Sequence, residues 1–129
     1  MQEITYGIFI NDDYMTYTNF ILIGLKLWET RNRNMLGRLI GRRVALISTS
    51  KYHTHQIVGY ATISEARHVS LEEFDMWYRT PSIIVEGSKY DCTEKGKWLY
   101  RMRNPERCET IPLPDNTIRH GRSWCEFTL

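Results

Sequence analysis

Two apolar runs set close together limit this chain's fold more than any other feature. Val44-Ala45-Leu46-Ile47 is apolar at every position and bounded by polar residues, and residues 56–64 carry Ile57, Val58, Tyr60, Ala61 and Ile63. A run with no polar side has no face to turn toward water, so both stretches read as strands buried within a sheet. The lead-in is of the same short kind. Residues 4–10 alternate loosely and are rich in β-formers, which predicts a strand, with Asn11-Asp12-Asp13 as turn and helix-capping material. Tyr14, Tyr17, Phe20 and Ile21 then recur at helical spacing up to Gly24, a residue that enters the left-handed conformation at a helix end without steric cost.

Residues 26–31 follow as a strand, and Arg33-Asn34-Met35-Leu36-Gly37 as a loop closed by Gly41. Ser70 and Glu73 have the spacing of a capping box, which predicts a short helix through Trp77 or Tyr78, ended by Pro81. Residues 98–102 alternate apolar with polar as a strand does. Residues 103–120, holding Pro105, Pro112 and Pro114, read as mostly loop with at most one edge strand, and residues 123–127 close the chain as a strand. Short strands with two or three short helices make this an α+β chain, a small barrel or curved sheet, and 129 residues fit one domain spanning 1–129.

A basic segment follows an acidic lead-in. The net charge is only +2, yet residues 1–25 hold three acids and no Lys or Arg, while residues 26–51 hold seven bases (Lys26, Arg31, Arg33, Arg38, Arg42, Arg43, Lys51) and one acid, Glu29. Three widely spaced cysteines, Cys92, Cys108 and Cys125, form neither a disulfide framework nor a zinc pattern, so reduced thiols are expected. No apolar run nears the roughly 18 residues of a membrane span. Met1-Gln2-Glu3 begins no signal-peptide pattern, and the chain reads as cytoplasmic, without a membrane partner.

The basic segment opens with Gly24-Leu25-Lys26-Leu27-Trp28-Glu29-Thr30-Arg31. Its four fixed positions, Gly24, Lys26, Glu29 and Arg31, resemble the G-x-K-x-x-E-x-R signature of the ASCH domain family. The strand opened by Gly41, the strand holding Ile57 to Ile63, Trp98-Leu99-Tyr100 and His120-Gly121-Arg122-Ser123-Trp124 are also similar to that family's pattern. The resemblance implies a PUA-like β-barrel of about five to seven mostly antiparallel strands, with RNA or a modified nucleoside bound in a cleft beside the motif. It also implies two enzymatic alternatives, since some members deacylate N4-acetylcytidine and others are ribonucleases. In the deacylases a lysine at the position of Lys26 works with a threonine three residues later and a distant glutamate. Here that threonine's place is held by Glu29, and a carboxylate cannot serve as an acyl-accepting hydroxyl without a change of mechanism.

Strand alternation puts Leu27, Glu29 and Arg31 on one face and Trp28 and Thr30 on the other, with Lys26 in the turn. A carboxylate flanked by an ammonium and a guanidinium presents donors to a phosphate or a base carbonyl; the structural alternative is an ion-pair cluster that pins the helix-to-strand junction. The expected ligand-binding set is Lys26, Trp28, Glu29, Arg31, Ser50 and Lys51, with Trp28 as a stacking platform and Arg33, Arg38, Arg42 and Arg43 on a nucleic-acid backbone. If the chain is an enzyme, Lys26 and Glu29 carry the chemistry, joined by an acid such as Glu65, Glu72 or Glu73. A third reading is an accessory domain that contacts another protein. His53 and His55 lie two apart but lack further ligands at metal spacing, so they read as part of a polar loop. No metal site and no cofactor are expected.

Overall fold

The computed structural model describes residues 3–129. One seven-stranded sheet organises them, β1 (Thr5–Asn11), β2 (Trp28–Arg31), β3 (Arg43–Ser50), β4 (His53–Val69), β5 (Lys97–Pro112), β6 (Ile118–His120) and β7 (Trp124–Phe127), in the order β2-β5-β4-β3-β1-β7-β6. Only the β1–β3 pairing is parallel. The α+β expectation holds, but the barrel is open: the terminal strands of the order, β2 and β6, are not paired with each other.

The open sheet is nevertheless strongly curled. β2 and β1 stand four places apart, about 19 Å in a flat sheet at ~4.8 Å per strand. Yet Arg31 Nη2 on β2 donates to Phe9 O on β1 at 2.7 Å. The curl comes from β4 and β5, whose pairing is interrupted by register shifts between Ile57 and Gly59, between Tyr60 and Thr62, and between Ile63 and Ala66. Bulges raise local twist and bend the strand that carries them.

The apolar runs behave as their composition requires. Val44 and Leu46 enter one core cluster, while Ala45 and Ile47 enter a second on the opposite face. β4 keeps step with both through a bulge. Ile57 pairs Ile47 in the second cluster, and Gly59 rather than Val58 then pairs Leu46, so the extra residue restores Ala61 opposite Val44 in the first.

α1 (Tyr17–Leu22) ends as the sequence indicates, with Gly24 at φ +83° and the backbone N–H groups of Leu25 and Lys26 both donating to Phe20 O at 2.9 Å. Its start is held from farther back, where Asp12 accepts from Thr18 N at 3.1 Å, Thr18 Oγ1 at 2.5 Å and Ser48 Oγ at 2.5 Å. The capping box forms at α2 (Leu71–Glu73), with Ser70 and Glu73 bonding reciprocally. The helical path then runs on through a wide π turn (Phe74–Tyr78) into α3 (Arg79–Ser82) and stops at Ile83, φ +53°. Pro81 therefore lies inside the last turn instead of ending the helix before it.

Two further expectations are corrected. His53 and His55 lie on β4, not in a loop. Residues 103–112 continue β5 rather than forming a loop, because Pro105 and Asn104 (φ +50°) fall where the pairing with β4 shifts between Tyr60 and Thr62. A proline at a bulge removes no ladder hydrogen bond. On its other side β5 pairs with β2 only over residues 98–101. All three thiols are free, and among the described residues no helix is long and apolar enough to cross a membrane.

Gly96, which leads into β5 at φ +82°, has no room for a side chain: a Cβ there would lie 2.3 Å from Val69 O. At Gly24 nothing lies within 4 Å, so only the backbone conformation resists substitution. Gly24→Ala should cost about 1 kcal/mol of unfolding free energy, and Gly96→Ala, which adds a backbone clash, about 2–4 kcal/mol. Urea unfolding of both variants measures the difference, and equal losses would contradict it.

Candidate functional site

The curl of the sheet leaves a cavity of about 540 Å³ between the end of β1 and β2. This lies within the ~300–1,000 Å³ common for small-molecule sites. Its charged lining is one-sided: Lys26, Arg31, Lys97, Arg119 and Arg122 against the single carboxylate of Glu29.

Lys26 is placed by the stop of α1, which turns its side chain inward to 1% exposure. Its Nζ donates to Ser82 O at the end of α3, stands 4.8 Å over the Tyr17 ring and lies 3.9 Å from Glu29 Oε1. Burial pulls its pKa down to about 8; Glu29 opposes that shift, and the charges of Arg31 and Lys97 add to it. Glu29, 6% exposed, accepts from Thr30 N at 3.0 Å and from Arg31 Nη2 at 3.2 Å. One guanidinium nitrogen thus serves both Glu29 and Phe9 O. Lys97, just after Gly96, is buried as well and donates to Asn32 Oδ1 at 2.8 Å; burial lowers its pKa.

Tyr17 also lines the cavity, and its hydroxyl, with the residue 4% exposed, has no hydrogen-bond partner among the described residues. Burial raises its pKa to about 12, so the group stays protonated and retains a donor. Nearer the surface, Phe9 packs against His55 (ring centroids 5.6 Å apart), Arg119 lies 5.1 Å over Phe9, and Arg119 Nη2 meets His55 Nδ1 at 3.1 Å.

Of the residues expected from sequence, Lys26, Glu29 and Arg31 meet in this cavity. Trp28 does not: it is 8% exposed and packed edge-on against Tyr78 at 5.5 Å, with Arg67 over its ring, in the core and outside the cavity lining. Ser50 and Lys51 turn to Asp13, which accepts from Ser50 Oγ at 2.8 Å and Lys51 N at 3.0 Å; their neighbour Thr49 reaches the cavity instead. The four arginines do not converge. Arg33 borders a separate depression with Lys95, Arg38 is exposed on a 3₁₀ turn, Arg42 covers the Tyr6 ring, and Arg43 pairs with Glu106.

None of the three distant glutamates joins Glu29. Glu65 pairs with Arg67, Glu73 completes the capping box, and Glu72 is exposed. The lining residues that sequence reasoning missed, Tyr17, Lys97, Arg119 and Arg122, come from segments far apart in the chain. Tyr17 carried a signal only of helix packing, and Arg122 only that of a closing segment similar to the family's pattern.

No protein-family model matches the sequence, and no curated protein matches it. Solved structures do. The ASCH protein from Zymomonas mobilis superposes with a TM-score of 0.67 at 18% identity, covering 83% of this chain and 73% of that one. A tyrosine-to-phenylalanine mutant of it gives 0.66 at 18% identity over 83% and 76%, and a serine-to-alanine mutant 0.67 at 17% over 82% and 73%. The chain has the fold of these ASCH structures.

Lys26 supplies a pH test of the buried cluster. Its folded pKa of about 8 lies below the ordinary lysine value of 10.5. Between those pH values the unfolded chain binds more protons than the folded one, so unfolding free energy should rise with pH across that window. Relative to Lys26→Met, which lacks the titration, the gain should total up to about 3 kcal/mol. Chemical denaturation of both proteins at pH 7.5 and 10 reads it, and a constant difference would show that Lys26 titrates as an ordinary lysine.

Proposed function

We propose that the cavity binds a nucleoside, free or as an exposed base of single-stranded RNA. The observation that carries this reading is the Tyr17 hydroxyl, a buried donor without a partner among the described residues, on a ring that Lys26 Nζ stands over and that shares the cavity lining with Lys26 and Glu29. Buried polar groups almost always find a partner, and one that lines a cavity and lacks one is suited to a ligand that supplies it. A nucleobase matches the full set: its carbonyl accepts from Tyr17 or Lys26, its amino group donates to Glu29, and its flat apolar faces suit a lining that includes Phe9 and Tyr90. The basic lining favours the anionic backbone of RNA, and the ASCH fold is consistent with such a ligand. Cytoplasmic residence and a single functional domain belong to the same proposal.

A second reading is hydrolysis of a nucleobase amide or an RNA phosphodiester. It is favoured by Lys26, whose pKa burial lowers to about 8 and whose Nζ lies 3.9 Å from a carboxylate, an arrangement suited to a general base or electrophile. For the amide reaction a second acid is lacking among the described lining residues, where Glu29 is the sole carboxylate. The binding reading therefore leads, and an accessory role in protein contact has no observation that favours it.

Tyr17→Phe tests the leading reading with little disturbance. Removing a buried hydroxyl that bonds to nothing should leave thermal stability unchanged or raise it slightly. The same change should weaken binding of cytidine, adenosine or a short single-stranded RNA by about fivefold to tenfold, the worth of one hydrogen bond. Calorimetric titration at low salt provides the measurement, and undetectable binding of all three by the wild-type protein would refute the proposal. Incubation with acylated cytidine and RNA covers the second reading: turnover abolished in Glu29→Gln would support it, and none in the wild type would exclude it.

A further inference from the structure

The five bases around the cavity divide into two groups, and the division points to more than base recognition. The three deeper ones are already engaged: Lys26 with Ser82 O and Glu29, Arg31 with Glu29 and Phe9 O, and Lys97 with Asn32. Arg119 and Arg122 are exposed at the mouth, and among the described residues neither forms an ion pair with a carboxylate. They are also the two whose chain segment, β6 and the turn after it, has no other contribution to the cavity lining.

Arg119 is held in place without being neutralised. Its guanidinium lies over Phe9, and Nη2 meets His55 Nδ1 at 3.1 Å. A guanidinium can only donate, so Nδ1 is the acceptor and His55 is the neutral ring with its proton on Nε2. Burial and the charge of Arg119 lower the His55 pKa, in keeping with that tautomer. The mouth therefore offers two guanidinium forks and one imidazole N–H, a set of donors with no anion among them. Donors of this kind match a phosphate group, which guanidinium binds through two parallel charge-assisted hydrogen bonds.

Floor and mouth belong to one cavity and are linked by contacts. Glu29 is joined through the Arg31 guanidinium to Phe9 O, and the ring of Phe9 lies under Arg119. A base seated at Glu29 and Tyr17 would thus carry its sugar past Phe9 and its phosphate to the mouth. We propose that Arg119 and Arg122, with His55, form a phosphate subsite, so that the cavity takes a phosphorylated nucleoside rather than a bare one. This rests on the nucleoside reading above. The source of that phosphate is either the monoester of a free nucleotide or the diester of an RNA strand, since both present at least two non-bridging anionic oxygens to a guanidinium fork.

Calorimetric titration of the full chain with cytidine, cytidine 5′-monophosphate, a cytidine dinucleotide and inorganic phosphate separates these possibilities, in the wild type and in Arg119→Gln/Arg122→Gln. Both positions are exposed, and a thermal melt checks that the double variant is folded. The phosphorylated ligands should bind about tenfold or more tightly than cytidine, and in the double variant that ratio should fall close to one. An advantage confined to the dinucleotide assigns the subsite to an RNA backbone, and one shared by the monophosphate assigns it to free nucleotides; either supports the proposal. Cytidine and its phosphorylated forms binding alike would overturn it while leaving the nucleoside reading intact, as would a ratio that survives in the double variant. Phosphate binding lost in the double variant, without any cytidine binding, would keep the anion site and discard the nucleoside reading. No binding of any of the four overturns both.

Discussion

The reach of Arg31 to the carbonyl of Phe9 is the contact on which the site depends. It closes the distance between strands that lie four places apart in the sheet, and the same nitrogen fixes the carboxylate of Glu29. Without the curl it spans, the two walls of the cavity would be separate surfaces. Burying a carboxylate with two bases is costly in itself, because desolvation competes with the attraction between the charges. Such a cluster is kept tolerable by supplementary hydrogen bonds, which Thr30 N, Ser82 O and Phe9 O provide here. The arrangement combines both readings weighed from sequence: the trio pins the helix-to-strand junction, and it also lines a cavity.

Much of the fold was legible because it follows local rules. Gly24 was readable as a helix stop, Ser70 and Glu73 as a capping box, and the unbroken apolar run at Val44 to Ile47 as a strand buried on both faces. The strand after Met102 was hidden because proline normally argues against pairing, and only the register shift opposite Tyr60 and Thr62 makes Pro105 acceptable. Parity correctly grouped Glu29 with Arg31 and set Trp28 apart, yet it could not say which face would be core. The aromatic therefore packs under Arg67 and against Tyr78 rather than in the cavity lining.

The site was only half legible, for a physical reason. Its floor comes from one contiguous motif, whereas Tyr17, Lys97, Arg119 and Arg122 are brought in by tertiary curvature. Local charge density was a poor guide to where those bases would act. The arginines at positions 33, 38, 42 and 43 are close in sequence and disperse over the surface, while Arg119 and Arg122, from a segment of unremarkable charge, reach the mouth.

The same long ribbon that curls the sheet also has to coexist with other copies of itself. Past Met102, whose N–H donates to Leu27 O, the outer side of β5 has no neighbouring strand among the described residues, which leaves that edge available for pairing with another chain. That side of the ribbon is punctuated by Pro105 and Pro112 and by Arg103, Glu106, Arg107 and Glu109, all exposed. Prolines cannot donate and fixed charges resist dehydration, so a second extended chain finds poor purchase there. The residues that disguised this segment as a loop are those that guard it against templated aggregation.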